Sequence, residues 1–246
     1  MKKIKTIFLV LAVGVIFSTC KKENLCDCFK GTGKQTAETR NLTPFDEVFV
    51  QDKIEAHLIE GNEFSVRVEA GQHLIKLIKT TVENNKLTIK NNNKCDFTRS
   101  YKRKIIVYIT LPRLRKLTNN GVTNVYMDSQ FKCDTLNYSA SNSGDLYINV
   151  NATIVYGGMH GNGDVYMQGF VNENYLFAGG QGYFHAFNTS AQKVILSLRT
   201  SGKMEVNANS FLKIDMYQKS TGDIYYKGNP NLIENIDGSG KIINAN

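Results

Sequence analysis

The stretch Asn162–Met167 reads NGDVYM, and close variants of this phrase recur along the chain. They are NSGDLYI at Asn142–Ile148, SGKMEV at Ser201–Val206, STGDIYY at Ser220–Tyr226 and GSGKIIN at Gly238–Asn244. The central glycines of these phrases, together with Gly182, lie 18 to 20 residues apart. Such a regular step is the sequence signature of a repeat architecture.

Each phrase alternates apolar and polar residues, which is typical of a β-strand. The second and fourth residues after each glycine are mostly apolar and are predicted to point inward, whereas the third is predicted to point outward. A second alternating stretch precedes each glycine, and turn-forming residues at 149–151, 172–174 and 207–210 separate the two stretches. The sequence therefore predicts two strands in each repeat.

A repeat of about 20 residues without a helical period has the size of one coil of a parallel β-solenoid. Residues 119–246 are predicted to form regular coils, and residues 41–118 a less regular run of alternating strands. The glycine is predicted at a bend, where any side chain would collide with the neighbouring coil. The predicted fold class is therefore all-β.

The N-terminal residues have the anatomy of an export signal. Lysines near the start precede an apolar run, which ends at Cys20 and is too short to span a bilayer. Residues 17–20, FSTC, resemble a bacterial lipobox. We therefore expect a lipoprotein signal at 1–19, a lipidated Cys20, a tether at 20–40 and a single domain at 41–246. An uncleaved anchor or an ordinary signal peptide is the alternative.

The formal net charge is +8, and removal of Lys2, Lys3 and Lys5 with the signal lowers it to +5. No nucleic-acid-binding motif accompanies this mildly basic balance, so a nucleic-acid partner is not predicted. The membrane is the expected partner of the lipid on Cys20. We expect a lipoprotein of the cell envelope, in the outer membrane, with periplasmic and surface display both open.

Four further cysteines are candidates for disulfides in an oxidising compartment: Cys26, Cys28, Cys95 and Cys133. Four cysteines allow three pairings, which the sequence does not distinguish. A bond between Cys26 and Cys28 would close a very tight loop, so at least one of them is expected to reach Cys95 or Cys133. A thiolate metal site is the alternative, but no second cysteine pair or nearby His completes it, so no metal is predicted.

Three segments and the repeated SGD and NGD phrases resemble the head GIN domain family of auto-transporter adhesins. The segments are RNLTPFDEVFVQ at 40–51, KLTIKN at 86–91 and KIIVYITLPRLRKLTNNGVTNVYM at 104–127. The resemblance covers most of the chain from Arg40 onward. It implies a right-handed single-stranded parallel β-helix in an exported lipoprotein of Gram-negative bacteria. It implies little about activity, and no catalytic residues of the family are carried over to this chain.

The outward third column contains the candidate binding residues, because exposed aromatic side chains can contact sugar rings or a partner protein. The column consists of Tyr126, Tyr147 and Tyr166 on successive coils, followed by His185 and Tyr225. The alternative is that these rings stack on one another and stabilise the solenoid.

The repeated Asp145, Asp164 and Asp223 are candidates for a ladder that binds calcium or sugar hydroxyls. Lys203 and Lys241 interrupt this column, which favours a role in the turns instead. The chain has no HExxH, GxSxG or phosphate-loop motif, so neither catalysis nor a cofactor is predicted. The predicted function is adhesion or binding of a glycan or cell-surface protein through exposed sheet faces. A structural component of the cell surface and a polysaccharide-processing β-helix enzyme are the alternatives.

Overall fold

The computed structural model describes residues 31–93 and 104–246. The predicted signal and Cys20, Cys26, Cys28 and Cys95 lie outside the described residues. Within them, the strands in chain order are β1 (Gln35–Arg40), β2 (Glu47–Asp52), β3 (Glu55–Glu60), β4 (Ser65–Gly71), β5 (Ile78–Glu83), β6 (Lys86–Asn91), β7 (Ile106–Leu111), β8 (Lys116–Gly121), β9 (Val125–Met127), β10 (Phe131–Ala140), β11 (Leu146–Met159), β12 (Val165–Ala178), β13 (Phe184–Leu198), β14 (Met204–Met216), β15 (Ile224–Lys227), β16 (Asn231–Ile236) and β17 (Ile242–Asn244). A short 3-10 helix, Ile75–Leu77, lies between β4 and β5. Among the described residues, no helix has the length and apolar character needed to cross a membrane.

The long strands β11 to β14 each pair in parallel with the next. Their pairing follows the sequence repeat, because Val165 pairs with Leu146 on one side and with Phe184 on the other. The chain therefore forms a β-solenoid of about six turns with parallel stacked coils. The predicted all-β solenoid is confirmed.

The alternation of apolar and polar residues separates the core from the surface, as predicted. The second-position residues are fully buried: Leu146, Val165, Phe184, Met204 and Ile224. The third-position residues between the inward columns remain partly exposed. Burial of each large apolar side chain contributes roughly 1.5–3 kcal/mol, so the stacked inward columns are the main source of stability.

The prediction of two strands in each repeat is wrong for β11 to β14, where one continuous strand runs around most of each coil, and is confirmed for the last full repeat, which contains β15 and β16. Residues 149–151, 172–174 and 207–210, which were predicted turns, lie inside β11, β12 and β14. The chain bends there without leaving the hydrogen-bonded ladder, and Val150 still pairs with Gly169. Gly169 has a φ of +113°, a conformation that glycine adopts readily and other residues rarely do.

The repeat glycines allow adjacent coils to approach each other. A Cβ atom on Gly163 would lie 2.3 Å from the carbonyl oxygen of Gly144. A Cβ atom on Gly182 would lie 2.0 Å from the carbonyl oxygen of Gly163. The obstructing atoms belong to the backbone, which cannot rotate away as a side chain can. The predicted collision with the neighbouring coil is confirmed.

The N-terminal strands also form coils, but their order in space differs from their order in the sequence. Strand β3 pairs in parallel with β7 and β9, and β2 pairs in parallel with β6 and β8. The coil made of β2 and β3 therefore lies between the coil of β6 and β7 and that of β8 and β9. One surface, here called the stack sheet, contains β1, β4, β7, β3, β9, the first parts of β11 to β14, β15 and β17 in spatial order.

Antiparallel strands close the N-terminal end of the solenoid. Strand β1 pairs antiparallel with β4, and β5 pairs antiparallel with β6. Residues 35–40 belong to the predicted tether, yet they form β1. The Arg40 guanidinium donates to the carbonyl oxygens of Ile78 and Ile75, which fastens this strand to the body. The folded body therefore begins before residue 41.

Polar residues at inward positions mark the C-terminal end of the solenoid. Glu234 pairs with Ile214, and Asn244 pairs with Tyr226. Both polar side chains are exposed. Stacking another coil on this end would bury the Glu234 carboxylate, which is costly without a partner.

We expect Gly182→Ala to lower the free energy of unfolding by about 3 kcal/mol, because the new methyl group would overlap fixed backbone. Urea unfolding followed by circular dichroism measures the change. Gly31→Ala is the control, because a Cβ atom there would meet nothing within 4 Å. Equal losses from the two substitutions would contradict this explanation of the glycine column.

Candidate functional site

Four of the five predicted column residues lie face to face on the stack sheet. The ring centroids of Tyr147 lie 4.7 Å from those of both Tyr126 and Tyr166, and the Tyr166 and His185 centroids are 4.6 Å apart. The angles between neighbouring ring planes are 20° or less. Because coils are separated by about 4.8 Å, in-register strand pairing brings the rings into contact.

The row of rings is longer than the sequence predicts. His57 on β3 lies 4.9 Å from Tyr126, and Tyr108 on β7 lies 5.3 Å from His57, measured between ring centroids. The Arg67 guanidinium carbon covers the end of the row, 5.9 Å from the Tyr108 centroid. We call the six rings the aromatic stack: Tyr108, His57, Tyr126, Tyr147, Tyr166 and His185.

Repeat spacing cannot identify His57 or Tyr108, because both precede the regular repeats. The available signal is strand alternation. His57 lies between Ala56 and Leu58, which are fully buried. Tyr108 also lies between two fully buried apolar residues. Alternation marks both rings as outward-facing but does not show that they are neighbours.

Tyr225 lies outside the aromatic stack. Glu205 pairs with His185 on one side and with Tyr225 on the other, so an acidic residue interrupts the column. The Lys203 ammonium lies 5.6 Å from the Tyr225 ring centroid. The predicted column is therefore one aromatic stack and one separate tyrosine.

Acidic side chains hold both histidines of the aromatic stack. His57 Nδ1 lies 2.9 Å from Asp128 Oδ2, and His57 Nε2 lies 3.4 Å from Glu55 Oε1. His185 Nδ1 lies 2.8 Å from Glu205 Oε2. These contacts orient the imidazole rings in the plane that stacking requires.

Glu205 and Glu55 remain ionised near neutral pH. Burial tends to raise the pKa of Glu205, but hydrogen bonds with Lys203 and His185 outweigh it and leave the pKa below its ordinary value. Burial also tends to raise the pKa of Glu55, but hydrogen bonds with Lys104 and the neighbouring histidine outweigh it and leave this pKa below its ordinary value. Each histidine therefore lies beside a carboxylate whose charge is itself compensated by a lysine.

Neighbouring rings cover both flat faces of Tyr126, Tyr147 and Tyr166. A sugar that stacks on an aromatic residue needs an open ring face, so the middle of the aromatic stack does not offer that contact. The ring edges remain partly exposed. A ligand on this surface therefore meets ring edges and hydroxyl groups.

The aspartates of the repeat phrase bind the backbone of the next coil. Asp145 Oδ1 accepts the N–H of Asp164 at 2.9 Å, and Asp164 Oδ1 accepts that of Tyr183 at 2.7 Å. Asp223 Oδ1 accepts the N–H of Lys241 at 2.8 Å. These residues therefore hold adjacent coils together. Within residues 31–93 and 104–246, no three His, Cys, Asp or Glu side chains are grouped to hold a metal ion.

A groove of about 540 Å³ runs along one side of the aromatic stack. One wall consists of the ring edges from Tyr147 to His185. The other wall presents the side-chain amides of Asn149, Gln168 and Asn188 from three successive coils. We call this feature the amide groove.

The three amides of this wall have no hydrogen-bond partner among the described residues. Asn149 is half-buried, whereas Gln168 and Asn188 are exposed. Each amide offers two donor hydrogens and an acceptor oxygen. The wall is therefore a row of available hydrogen-bonding groups repeated at the coil spacing.

A β-bulge shapes the end of the amide groove. The pairing between β12 and β13 shifts by one residue after Tyr166. The extra residue of β13 allows Phe187 and Asn188 both to line the groove. Sequence reasoning missed Phe187, although the repeat step lengthens from 19 to 20 residues in this coil.

A second cavity, of about 800 Å³, lies away from the aromatic stack. Its two arginines lie beside acidic neighbours. Arg115 Nη2 lies 2.6 Å from Glu47 Oε1, and Arg113 Nη2 lies 3.6 Å from Asp46 Oδ2. The arginine charges of this cavity are therefore compensated within the protein.

Cys133 lines the second cavity and has no disulfide among the described residues. Burial, together with nearby Asp134 and Glu60, raises the pKa of the Cys133 thiol to about 11. A thiol with such a pKa is a poor nucleophile at neutral pH. Its predicted partner cysteines lie outside the described residues, so the disulfide stays a prediction.

Comparison with known families agrees with this architecture. The family model described as "Putative auto-transporter adhesin, head GIN domain" matches residues 44–230. The chain belongs to this family. The head GIN domain therefore includes the whole aromatic stack and the amide groove. No curated protein matches the chain.

Solved structures share the fold of this head GIN domain. A putative adhesin from Bacteroides fragilis is similar with a TM-score of 0.81 and 21% identity, over 87% of this chain and 99% of that chain. A putative adhesin from Parabacteroides distasonis has a TM-score of 0.67 and 21% identity, over 85% of this chain and 96% of that chain. A putative lipid binding protein from Parabacteroides distasonis has a TM-score of 0.64 and 19% identity, over 87% of this chain and 100% of that chain. At these identities, the likeness establishes the fold.

We expect Tyr147→Ser in the head GIN domain to lower the free energy of unfolding by about 1–3 kcal/mol, because two ring contacts of about 0.5–1.5 kcal/mol each disappear. Tyr147→Phe keeps both contacts and should stay within about 0.5 kcal/mol of the parent. Urea unfolding measures both changes.

Tyr156→Ser is the matched control, because among the described rings Tyr156 stacks only on Tyr175. It should cost about half as much as Tyr147→Ser if ring contacts set the loss. Equal losses from Tyr147→Ser and Tyr147→Phe would instead assign the effect to the hydroxyl group.

Proposed function

We propose that this chain is a lipid-anchored protein of the cell envelope that acts as an adhesin-type binding module without catalysis. Its ligand is a glycan or a cell-surface protein, which binds in the amide groove beside the aromatic stack. Membership of the head GIN domain family supports an adhesin role. The export signal and FSTC motif in the sequence support the lipid anchor.

The anchor also suggests how the binding surface is presented. The described chain begins at Gly31, whose carbonyl oxygen lies 2.8 Å from His73 Nδ1 at the antiparallel end of the solenoid. In the proposed arrangement, a lipid on Cys20 tethers the protein to the membrane through the segment that leads to this end. The amide groove lies on later coils, farther along the solenoid from the point of attachment.

The unpartnered amide row is the observation that carries the proposed binding role. Asn149, Gln168 and Asn188 have hydrogen-bonding capacity that the fold does not use. A ligand that supplies complementary donors and acceptors along the solenoid axis would use it.

The carboxylates near the groove support binding over catalysis. Glycoside hydrolysis usually needs two carboxyl groups placed across the scissile bond. Glu205 lines the groove but is already bound by Lys203 and His185. Asp164 uses one carboxylate oxygen to hold the backbone of the next coil. Both groups thus have structural tasks.

We expect radiolabelled palmitate to enter the parent chain expressed in a Gram-negative host, with the protein recovered in the membrane fraction. Cys20→Ser should abolish labelling and release the protein from the membrane, because the thiol that receives the lipid is lost. Cys26→Ser is the matched control and should retain both properties. An unlabelled parent would contradict the proposed anchor.

We expect the mature chain, purified in detergent, to bind at least one member of a broad glycan and matrix-protein array. Replacing Asn149, Gln168 and Asn188 together with Ala should weaken that binding at least about tenfold, because each lost hydrogen bond is worth about 0.5–1.5 kcal/mol. Asn172→Ala combined with Asn231→Ala is the control, because these exposed residues lie outside the groove.

The array also separates the other classes of function. Binding that survives the triple groove variant would place the ligand elsewhere. Failure to bind any array member would contradict the binding role and favour a structural component of the envelope. Release of shortened glycan products, lost in Asp164→Asn, would establish the polysaccharide-processing alternative.

A further inference from the structure

One cation at the end of the amide groove has no acidic partner. Lys227 on β15 lines the groove, and its ammonium lies 4.6 Å from the Phe187 ring centroid. Among the described residues, no carboxylate lies within salt-bridge distance of this ammonium. The aromatic contact positions the charge without neutralising it.

Three lysines on or just before β13 and β14 form ion pairs with carboxylates, whereas Lys227 forms none among the described residues. Lys193 lies 3.2 Å from Glu173, Lys203 lies 2.6 Å from Glu205, and Lys213 lies 2.9 Å from Asp215. The Lys203 pair is important for the groove, because it occupies Glu205, the carboxylate that lines the groove together with Lys227.

The amide row continues toward this cation. Lys227 pairs with Asn207, whose side-chain amide reaches the Phe187 carbonyl oxygen at 3.5 Å. From Asn149 to Lys227 the groove crosses successive coils at about 4.8 Å each, so its length is about 19 Å. A ligand that uses the whole groove must be extended and must run along the solenoid axis.

We propose that the amide groove binds an extended acidic glycan, with a uronate carboxylate at Lys227 and sugar hydroxyls along the amide row. This inference rests on the proposed binding function and names its ligand class. Hydroxyl groups both donate and accept hydrogen bonds, which matches side-chain amides and tyrosine hydroxyls. An ammonium on an aromatic face supplies the complementary positive charge.

A protein ligand fits this groove less well. The centre of a protein interface is depleted of charged groups and enriched in apolar and aromatic contacts. The amide groove instead has a row of exposed amides and an unneutralised ammonium. In addition, the aromatic stack presents ring edges here and not the open faces that anchor a partner protein.

The test measures binding of the full mature chain in detergent to polygalacturonate and hyaluronate by biolayer interferometry. Each polymer is compared with its carboxyl-reduced form, in which the uronate becomes a neutral sugar. We expect at least one acidic polymer to bind, and its reduced form to bind at least about tenfold more weakly, as loss of a charge-assisted hydrogen bond implies.

Lys227→Gln should weaken binding of the acidic polymer at least about tenfold, and Lys227→Arg should restore most of it. Lys79→Gln is the matched control, because it removes one exposed lysine from β5 and changes the net charge equally. It should bind like the parent. Thermal unfolding of every variant excludes a loss of fold as the cause.

Several results would overturn the inference. Equal binding of the acidic and reduced polymers would retain the binding function but reject the uronate contact. Equal losses from Lys227→Gln and Lys79→Gln would indicate non-specific charge attraction. Binding of neither polymer would reject the ligand class, while a protein ligand found on the array would leave the general binding function in place.

Discussion

In-register parallel pairing of successive coils is the constraint on which the rest of this structure depends. It requires the backbones to approach closely at each corner, and a Cβ atom at Gly182 would lie 2.0 Å from the carbonyl oxygen of the coil before. Once glycine removes that obstacle, each residue lies beside its counterpart one repeat earlier. A residue type that recurs in the sequence therefore becomes a column in space, and the aromatic stack and the amide row are two such columns.

Column formation has opposite consequences for rings and for charges. Rings separated by about 4.8 Å attract one another, so a column of tyrosines adds stability. Like charges at the same spacing repel, and each acidic column residue needs compensation. Asp145 and Asp164 receive it from backbone N–H groups, and Glu205 receives it from Lys203 and His185. The ammonium of Lys227 has no carboxylate partner among the described residues, and in the proposed binding mode an external anion would supply one.

Sequence periodicity predicted the parts of the site that depend on neighbouring repeats. Tyr147 and Tyr166 could be placed side by side because one repeat separates them and pairing is in register. His57 and Tyr108 could not be placed beside Tyr126 in this way, because the coil of β2 and β3 lies between coils that come later in the sequence. No local sequence pattern encodes that long-range order. The predicted turns failed for a related reason. Asparagine-rich segments signal a break in an isolated strand, but here adjacent coils supply hydrogen bonds on both sides and the strand bends without ending.

A perfectly regular solenoid presents the same groups at every coil and cannot specify where a ligand begins or ends. The shift in register between β12 and β13 breaks that equivalence, because it allows Phe187 to line the groove. Phe187 in turn positions the ammonium of Lys227. The groove thus has a neutral, amide-lined part and a cationic end, which gives it a direction. If the groove binds a glycan as proposed, this direction would allow an asymmetric chain to bind in one orientation, and the irregular coil would be the source of that specificity.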